Sequence, residues 1–285
     1  MVRLDWKKID QLIDWALHED IGSGDLTTDG VIEEETQAKG IFMAKDAMII
    51  AGIEIVPRIF KKSHHPFNFK AFFKDGDSVA NGDMIAFIEG NAKIILSYER
   101  VVLNFLQRLS GIATYASKFA AQVEGTKAKI VDTRKTTPGW RMLEKYAVSV
   151  GGGKNHRFGL FDAVLIKDNH IKLSGGIKEA VEKIRKFVPP YLKVEVEVSN
   201  LKEIEDALQV GAEIIMLDNM NTDEMKEAIK RIAGKAVIEV SGGVNLSNIR
   251  EIALMGVDLI SIGALTHSPS AVDISMKVEG IGSNQ

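Results

Sequence analysis

Three short motifs bring cationic side chains together in the middle of the chain. Asp132-Thr-Arg-Lys135, Lys154-Asn-His-Arg157 and Lys167-Asp-Asn-His170 all lie within 41 residues, 132–172. Arg offers a planar fork of donors that matches a carboxylate or a phosphate, and Lys supplies a point charge. Because clustered cations repel one another unless an anion lies among them, the motifs predict a small ligand that carries several negative charges.

The rest of the chain is acidic. Residues 132–172 contain 8 Lys or Arg and 4 Asp or Glu, whereas the whole chain of 285 residues contains 36 and 39. An acidic surface repels polyanions, and a nucleic-acid binder normally has a basic face. We therefore expect a small-molecule ligand and no nucleic-acid partner.

Cysteine and apolar patterning restrict the class further. The chain has no cysteine, which excludes disulfides, thiolate zinc sites and a Cys nucleophile, and suits a reducing compartment. No apolar run approaches the roughly 20 residues that span a bilayer, and the first residues lack a signal-peptide core. These features predict a cytoplasmic protein with no membrane partner.

A βα repeat in the second half of the chain must position the motifs. Four β-rich runs end at residues 197, 218, 241 and 263, and the first three precede stretches with helical apolar spacing. Gly211, Gly234 and Gly256 lie where these helices should end. As helix caps the pattern suggests Ser199, Thr222 and Ser247. The predicted strands are 129–133, 163–167, 193–198, 213–217 and 236–240, besides the one that ends at residue 263.

Six to seven such units predict a parallel α/β barrel of the TIM type, or an incomplete one. An open doubly wound sheet also satisfies the pattern. Period-two alternation in Val194-Glu-Val-Glu-Val198 directs the valines outward and Glu195 and Glu197 inward. The same parity pairs Asp218 with Met216 and Ser241 with Glu239 on their own strands. Polar groups should therefore converge at the carboxyl ends of the strands.

Two glycine-bearing turns follow the last two predicted strands. Ser241-Gly242-Gly243 and Ile262-Gly263-Ala264 occupy the place where barrel proteins often bind a phosphate with backbone N–H groups. Either turn alone is weak evidence, because most Gly pairs are only turns. Their spacing of one βα unit favours a phosphate site.

Together these motifs resemble the quinolinate phosphoribosyltransferase family, also called nicotinate-nucleotide pyrophosphorylases (carboxylating), and the resemblance spans nearly the whole chain. It includes two specific runs, Asp132-Thr-Arg-Lys-Thr136 and Lys167-Asp-Asn-His170. The other matching segments are His18–Thr27, Glu99–Asn104, Ser110–Thr114, Asn155–Arg157, Glu195–Glu197, Leu217–Asn219, Ser241–Gly243 and Gly263–Ser268. The family's reaction joins quinolinate to phosphoribosyl pyrophosphate and yields nicotinate mononucleotide, pyrophosphate and carbon dioxide with Mg²⁺, in NAD biosynthesis.

The resemblance also implies roles for individual residues of this pentosyltransferase. Quinolinate would be bound by Arg100, Arg134, Lys135, His156, Arg157 and Lys167, and Thr133 is a further expected substrate-binding residue. Glu197 and Asp218 would meet the ribose hydroxyls directly or through Mg²⁺, and with Lys135 and Lys167 they are the expected catalytic residues. The 5-phosphate would lie on Ser241, Gly242, Gly243, Ile262, Gly263 and Ala264. Arg100 would reach the site from the partner subunit of a homodimer or of a dimer-based hexamer.

The expected architecture is an incomplete TIM-like α/β barrel preceded by a mixed α+β N-terminal domain. The predicted divisions are 1–107 for the first domain, 108–266 for the barrel and 267–285 for a tail that packs back on the first domain. A Schiff-base aldolase or lyase using Lys167 or Lys135 is a rival enzyme class. A lipoyl-type carrier modified at Lys45 is the rival outside enzymes, because the Gly-Asp turns of residues 75–85 are typical of carrier hairpins.

Overall fold

A computed structural model describes residues 4–281, which divide into two compact units. The first unit contains the chain up to Ser117, the segment Thr137–Gly152 and the residues from Ser268 onward. The second contains Lys118–Thr136 and Gly153–His267. The division differs from the predicted boundaries mainly in residues 137–152, which belong to the first unit and not to the barrel.

The first unit is a mixed α+β domain, and its elements are numbered in chain order through both units. Its helices are α1 (Trp6–Ile21), α2 (Leu26–Val31), α3 (Ile55–Phe60), α4 (Ala92–Gln122), which extends past Ser117, and α5 (Arg141–Val150). Its strands are β1 (Gln37–Ala44), β2 (Met48–Ile49), β3 (Phe67–Ala71), β4 (Ser78–Val79), β5 (Met84–Asn91) and, near the C-terminus, β12 (Ile274–Gly280). Four of the strands form an antiparallel sheet in the order β12-β1-β5-β3, and β2 pairs with β4.

Helix α1 illustrates how sequence signals build this unit. Asp5 accepts hydrogen bonds from the first free N–H groups, those of Lys7 and Lys8, and so caps the helix. The stripe of Ile9, Ile13 and Leu17 is buried, as their helical spacing predicts. None of the helices in residues 4–281 has the length and hydrophobicity that crossing a membrane requires.

A buried ion pair attaches residues 137–152 to the first unit. The carboxylate of Glu144, on α5, is fully buried and lies 2.8 Å from the guanidinium of Arg108, on α4. It also accepts hydrogen bonds from the backbone N–H and the hydroxyl of Thr137, at 3.0 and 2.9 Å. A buried carboxylate needs such partners, because removing one of them leaves an uncompensated charge.

The second unit is a parallel βα assembly. Its strands are β6 (Lys129–Val131), β7 (Val164–Ile166), β8 (Val194–Val198), β9 (Ile214–Asp218), β10 (Val237–Ser241) and β11 (Leu259–Ser261). Its helices are α6 (Asp168–Ser174), α7 (Ile177–Phe187), α8 (Leu201–Gln209), α9 (Thr222–Ile232), α10 (Ile249–Leu254) and α11 (Ala264–His267).

The strand order confirms an incomplete barrel. The six parallel strands run β6-β11-β10-β9-β8-β7, so chain order is kept from β7 to β11 and the first strand lies beside the last. A doubly wound sheet would reverse direction at an inner strand, and this one does not. β6 and β7 are the two edges of the sheet, and a single bridge joins Val131 of β6 to Lys154.

The predicted caps of the barrel helices were wrong by one residue. Asn200 and Asn221, not Ser199 and Thr222, cap α8 and α9, because each amide oxygen accepts two N–H groups of the first turn. The residue before α10 is likewise Asn248, not Ser247. The predicted helix ends agree with the structure, because Gly211, Gly234 and Gly256 follow α8, α9 and α10 with φ of 69°, 77° and 88°.

Candidate active site

The inward parity predicted for the strands places polar side chains in one cavity of the second unit. The valines of β8 are buried with 0 to 1% exposure, while Glu197 points to the cavity. Asp218 lies opposite Ser241, and Met216 opposite both Glu197 and Glu239, in the registers of β8, β9 and β10. The cavity has a volume of about 770 Å³, which is enough for a nucleotide-sized ligand.

Nearly all the residues proposed as a site from sequence line this cavity. They are Thr133, Arg134, Lys135, His156, Arg157, Lys167, Glu197, Asp218, Ser241, Gly242, Gly243, Ile262, Gly263 and Ala264. Arg100 is the exception, since it is an exposed residue of α4 in the first unit. The structure therefore joins cationic, acidic and glycine-rich segments that are separated by up to 131 residues in sequence.

The cation of Lys167 faces the carboxylate of Glu197. The Nζ atom of Lys167, at the end of β7, lies 2.7 Å from Oε2 of Glu197 on β8. The backbone N–H of Lys167 donates to Nδ1 of His170, which fixes the turn into α6. The Lys167 side chain is 45% exposed, so its ammonium can reach a ligand that enters the cavity.

Asn219 holds the carboxyl end of β9 in an unusual backbone conformation. Its φ is 54°, in the left-handed region that Asn tolerates better than most residues. Its amide nitrogen donates to Oδ2 of Asp218 at 2.7 Å, and its backbone N–H donates to the carbonyl of Ser241 at 3.0 Å. These bonds orient the Asp218 carboxylate and join the ends of β9 and β10.

Glycine at position 242 is required by the close approach of Asn219. Gly242 has φ 88°, and a Cβ atom there would lie 2.1 Å from Oδ1 of Asn219. Gly243 has φ 63°, but a Cβ atom would meet nothing within 4 Å. The two neighbouring glycines therefore share the backbone requirement and differ in the space around them.

This difference makes a matched pair of variants. We expect Gly242→Ala to lower the free energy of unfolding by about 1–3 kcal/mol more than Gly243→Ala, because only the first adds overpacking to left-handed strain. Chemical denaturation of both variants measures the difference. Equal destabilisation would show that Asn219 moves aside at no cost.

His156 lies between two buried carboxylates. Its Nε2 atom is 3.3 Å from Oε2 of Glu195 and 3.5 Å from Oε1 of Glu239. Burial of the ring lowers the pKa of His156, but hydrogen bonding and attraction from the two carboxylates outweigh burial and raise it to about 10. Burial has the opposite effect on the acid Glu195, whose pKa it raises, because burial disfavours the charged carboxylate. The pKa of the Arg157 guanidinium is lowered by burial first and then by the charge of Arg134.

Asp132 fixes the loop that carries His156. This fully buried carboxylate accepts the backbone N–H of His156 at 2.9 Å and the side-chain amide of Asn155 at 2.6 Å. Its own backbone N–H donates to the carbonyl of Lys154. The first cationic motif thus positions the second by hydrogen bonds to its backbone.

Comparison with known proteins decides the family. The model of the quinolinate phosphoribosyl transferase C-terminal domain matches residues 112–277, and that of the N-terminal domain matches residues 25–110. The chain belongs to this family. The two matches together cover both units, and they support an enzyme against the carrier and the Schiff-base alternatives.

Individual members of the quinolinate phosphoribosyl transferase family are similar over nearly their full length. A probable nicotinate-nucleotide pyrophosphorylase (carboxylating) of Methanocaldococcus jannaschii is 44% identical over 92% of this chain and 94% of its own. The Bacillus subtilis protein with the same description is 42% identical over 95% and 93%. The crystal structure of NadC from Streptococcus pyogenes has a TM-score of 0.93 at 41% identity, covering 98% of this chain and 100% of that one.

Sequence reasoning assigned no site role to several residues that line the cavity, among them Asn219, Glu239 and His267. Asn219 and His267 stand within motifs that were singled out, Leu217–Asn219 and Gly263–Ser268, but neither was assigned a role. Glu239 was expected to point inward and was not placed in the site. Parity was a sufficient signal for Glu239, whereas the left-handed turn at Asn219 has no periodic signature.

Proposed function

We propose that the protein transfers the phosphoribosyl group of phosphoribosyl pyrophosphate to the ring nitrogen of quinolinate, with decarboxylation. The products are nicotinate mononucleotide, pyrophosphate and carbon dioxide. The observation that carries the proposal is one cavity in which cations, inward carboxylates and two glycine turns meet, in a chain that matches both domains of the family. Each of these three groups suits one part of the substrates.

The cationic part of the cavity suits the two carboxylates of quinolinate. Arg134, Arg157 and Lys167 line the cavity and come from three different loops at the strand ends. Arg can bind a carboxylate through two parallel N–H groups, which fixes orientation as well as adding affinity. Lys135 adds a further cation to the same lining.

The acidic part suits the ribose. When pyrophosphate leaves, positive charge develops on the ribose ring, and fixed carboxylates directed at that charge stabilise the transition state. Glu197 and Asp218, at the ends of β8 and β9, are the proposed source of this stabilisation. The turns at Gly242 and Gly263 would bind the 5-phosphate with backbone N–H groups.

Decarboxylation then follows from the charge of the product ring. A ribosylated pyridine nitrogen is cationic, and its positive charge stabilises the electron pair that stays on the adjacent carbon when the carboxylate departs as carbon dioxide. The residues of this chain need to hold the ring and exclude water, and the carbon that loses its carboxylate then takes up one proton.

We further propose that Mg²⁺ is required. Glu197 and Asp218 offer only oxygen ligands and the chain has no cysteine, which fits the preference of Mg²⁺ for hard donors. Bound with the sugar donor, Mg²⁺ would neutralise the charge of the leaving pyrophosphate. We expect a chelator to abolish turnover and added Mg²⁺ to restore it. Full turnover in the chelator would reject the requirement.

The function is tested by release of carbon dioxide from carboxyl-labelled quinolinate. We expect release only when phosphoribosyl pyrophosphate is present, in equal amount with nicotinate mononucleotide. Absence of release with both substrates and Mg²⁺ would contradict the function. We also propose a cytoplasmic location, which is supported by the absence of cysteine.

Arg100 is proposed to act in a homodimer or a dimer-based hexamer. The support is its exposed position on α4 together with the family resemblance of the segment Glu99–Asn104. In a two-fold dimer each subunit would supply Arg100 to the cavity of its partner, giving two composite sites.

Subunit mixing tests this arrangement. Arg100→Ala and Lys167→Ala homodimers should each be nearly inactive, whereas exchange should give mixed dimers with one doubly defective and one intact site. Activity should recover to roughly one quarter of wild type, because half of randomly mixed dimers are mixed and each has one intact site. If mass spectrometry verifies exchange and activity stays absent, Arg100 does not act across the interface.

A further inference from the structure

The cluster of Glu195, His156 and Glu239 presents a physical problem that the substrate contacts do not explain. The two carboxylates are 3% and 0% exposed, and their ligand atoms and that of His156 all lie within 4.8 Å of one another. Oε1 of Glu195 and both carboxylate oxygens of Glu239 are buried without a hydrogen-bond partner. Buried polar atoms are normally paired, so three such atoms in one place indicate a specific role.

The ring of His156 is constrained from both sides. The backbone N–H of Arg157 donates to its Nδ1 atom at 2.7 Å. Nδ1 is therefore an acceptor, and the ring proton lies on Nε2, which faces the two carboxylates at 3.3 and 3.5 Å. In a neutral imidazole only one nitrogen carries a proton, so the hydrogen-bond partner of one nitrogen decides whether the other is protonated.

This tautomer decides between a proton and a metal ion in the cluster. One imidazole and two carboxylates could surround a divalent cation, and the three groups lie close enough together to do so. A histidine that binds a metal through Nε2 keeps its proton on Nδ1, where it usually donates to an oxygen. Here Nδ1 faces an N–H group, that of Arg157, so a metal ion would create a clash of two protons.

We propose that Glu195 and Glu239 are positioning residues for His156: Oε2 of Glu195 accepts the Nε2 proton, and the carboxylate of Glu239 attracts it from the other side. The carboxylates come from β8 and β10, on either side of β9, so together they prevent the ring from swinging along the sheet. His156 lines the cavity with its side chain 13% exposed, and a fixed ring gives the quinolinate end of the cavity a fixed wall. The role in quinolinate binding rests on the proposed function.

The charges around the ring agree with this role. Glu195 and Glu239 face Nε2 of the His156 ring. The carboxylate of Asp132 accepts the backbone N–H of His156, and Arg157 follows directly in the chain. The two carboxylates raise the pKa of His156 and favour a proton on Nε2, whereas the N–H of Arg157 opposes a second ring proton on Nδ1.

Matched substitutions separate positioning from general structure. Glu195→Met and Glu239→Met remove the acceptor, whereas Glu195→Gln and Glu239→Gln keep the shape and one acceptor oxygen. We expect each Met variant to raise the KM for quinolinate about tenfold, the typical value of one buried polar contact. The Gln variants should change it less, and the KM for phosphoribosyl pyrophosphate should stay within about twofold in all four. Unchanged KM for quinolinate in folded Met variants, or an equal rise in both KM values, would overturn the proposal.

A spectroscopic measurement decides the point without activity. Nitrogen-15 NMR of histidine-labelled protein, with the His156 signals assigned by their loss in His156→Asn, should give a protonated Nε2 and an unprotonated Nδ1. The Nε2–H signal should shift in each Gln variant, which keeps the test valid if the Met variants do not fold. A proton on Nδ1 with a bare Nε2, or a bound metal that is lost in Glu239→Gln, would overturn the proposal.

The two measurements keep the inference apart from the proposed function. If the wild-type protein does not convert quinolinate, the proposed function fails while the NMR spectrum still decides how His156 is held. If the wild type converts quinolinate and the Nε2–H signal does not shift in either Gln variant, the positioning role alone fails.

Discussion

Lys167→Ala is expected to lose almost all turnover while the protein folds normally. The side chain is 45% exposed and its ion pair with Glu197 is partly solvated, so its removal should change the free energy of unfolding by at most about 1 kcal/mol. A charge-assisted contact to a substrate carboxylate contributes on the order of 1.5–3 kcal/mol, and misplacement of the ring adds to the loss. We expect kcat/KM to fall at least about 100-fold.

Lys172→Ala is the matched control for this variant. Lys172 is an exposed residue of α6, the helix that begins directly after Lys167, and its removal changes the net charge by the same amount. Its kcat/KM should stay within about twofold of wild type, as for an ordinary surface change. Near-normal catalytic efficiency in Lys167→Ala, with unchanged thermal melting, would refute the assignment of Lys167. Arg134→Ala is expected to behave like Lys167→Ala.

Glu197→Gln and Asp218→Asn are expected to slow the chemical step. Each keeps the shape of the side chain and removes one negative charge from the part of the cavity assigned to the ribose. Loss of one preorganised electrostatic contact to a transition state costs about 100- to 1000-fold in kcat. The KM for quinolinate should change by less than about threefold.

The two acidic variants control for each other. Glu197→Gln also removes the partner of Lys167, whereas Asp218→Asn leaves the pair of Lys167 and Glu197 intact. Single-turnover rates with saturating substrates measure the chemical step in both. A loss confined to quinolinate affinity in both variants would contradict the proposed role.

Much of the site follows from alternation in short strands. Val194 to Val198 requires that Glu195 and Glu197 point to the same side, and parallel strands bring their carboxyl ends to one edge. Asp218 and Ser241 follow by the same parity, and the structure places them opposite each other. These features depend on local period and strand direction, both of which the amino-acid sequence carries.

Other features depend on contacts between distant residues and had no such signal. The carboxylate of Glu144 binds Arg108, 36 residues earlier, and this pair assigns α5 to the first unit without any periodic pattern. Ser199 and the adjacent Asn200 are both residue types that cap helices, so the sequence did not distinguish them and the prediction of Ser199 was wrong. The meeting of His156 with Glu239 depends on the path of the loop that Asp132 holds.

The pairing of β6 with β11 affects the order in which the chain folds during its synthesis. Residues 129–131 pair with residues 259–261, and the hydroxyl of Thr266 donates to the carbonyl of Lys135 at 2.6 Å, across 131 residues of chain. Pairings of such separation form late, because closing a long loop costs entropy before its contacts compensate. During synthesis, Lys135 therefore reaches its final environment only after the last barrel strand has emerged from the ribosome. A nascent chain that stops before residue 259 lacks β11 and the turn at Gly263, so it cannot form the complete cavity.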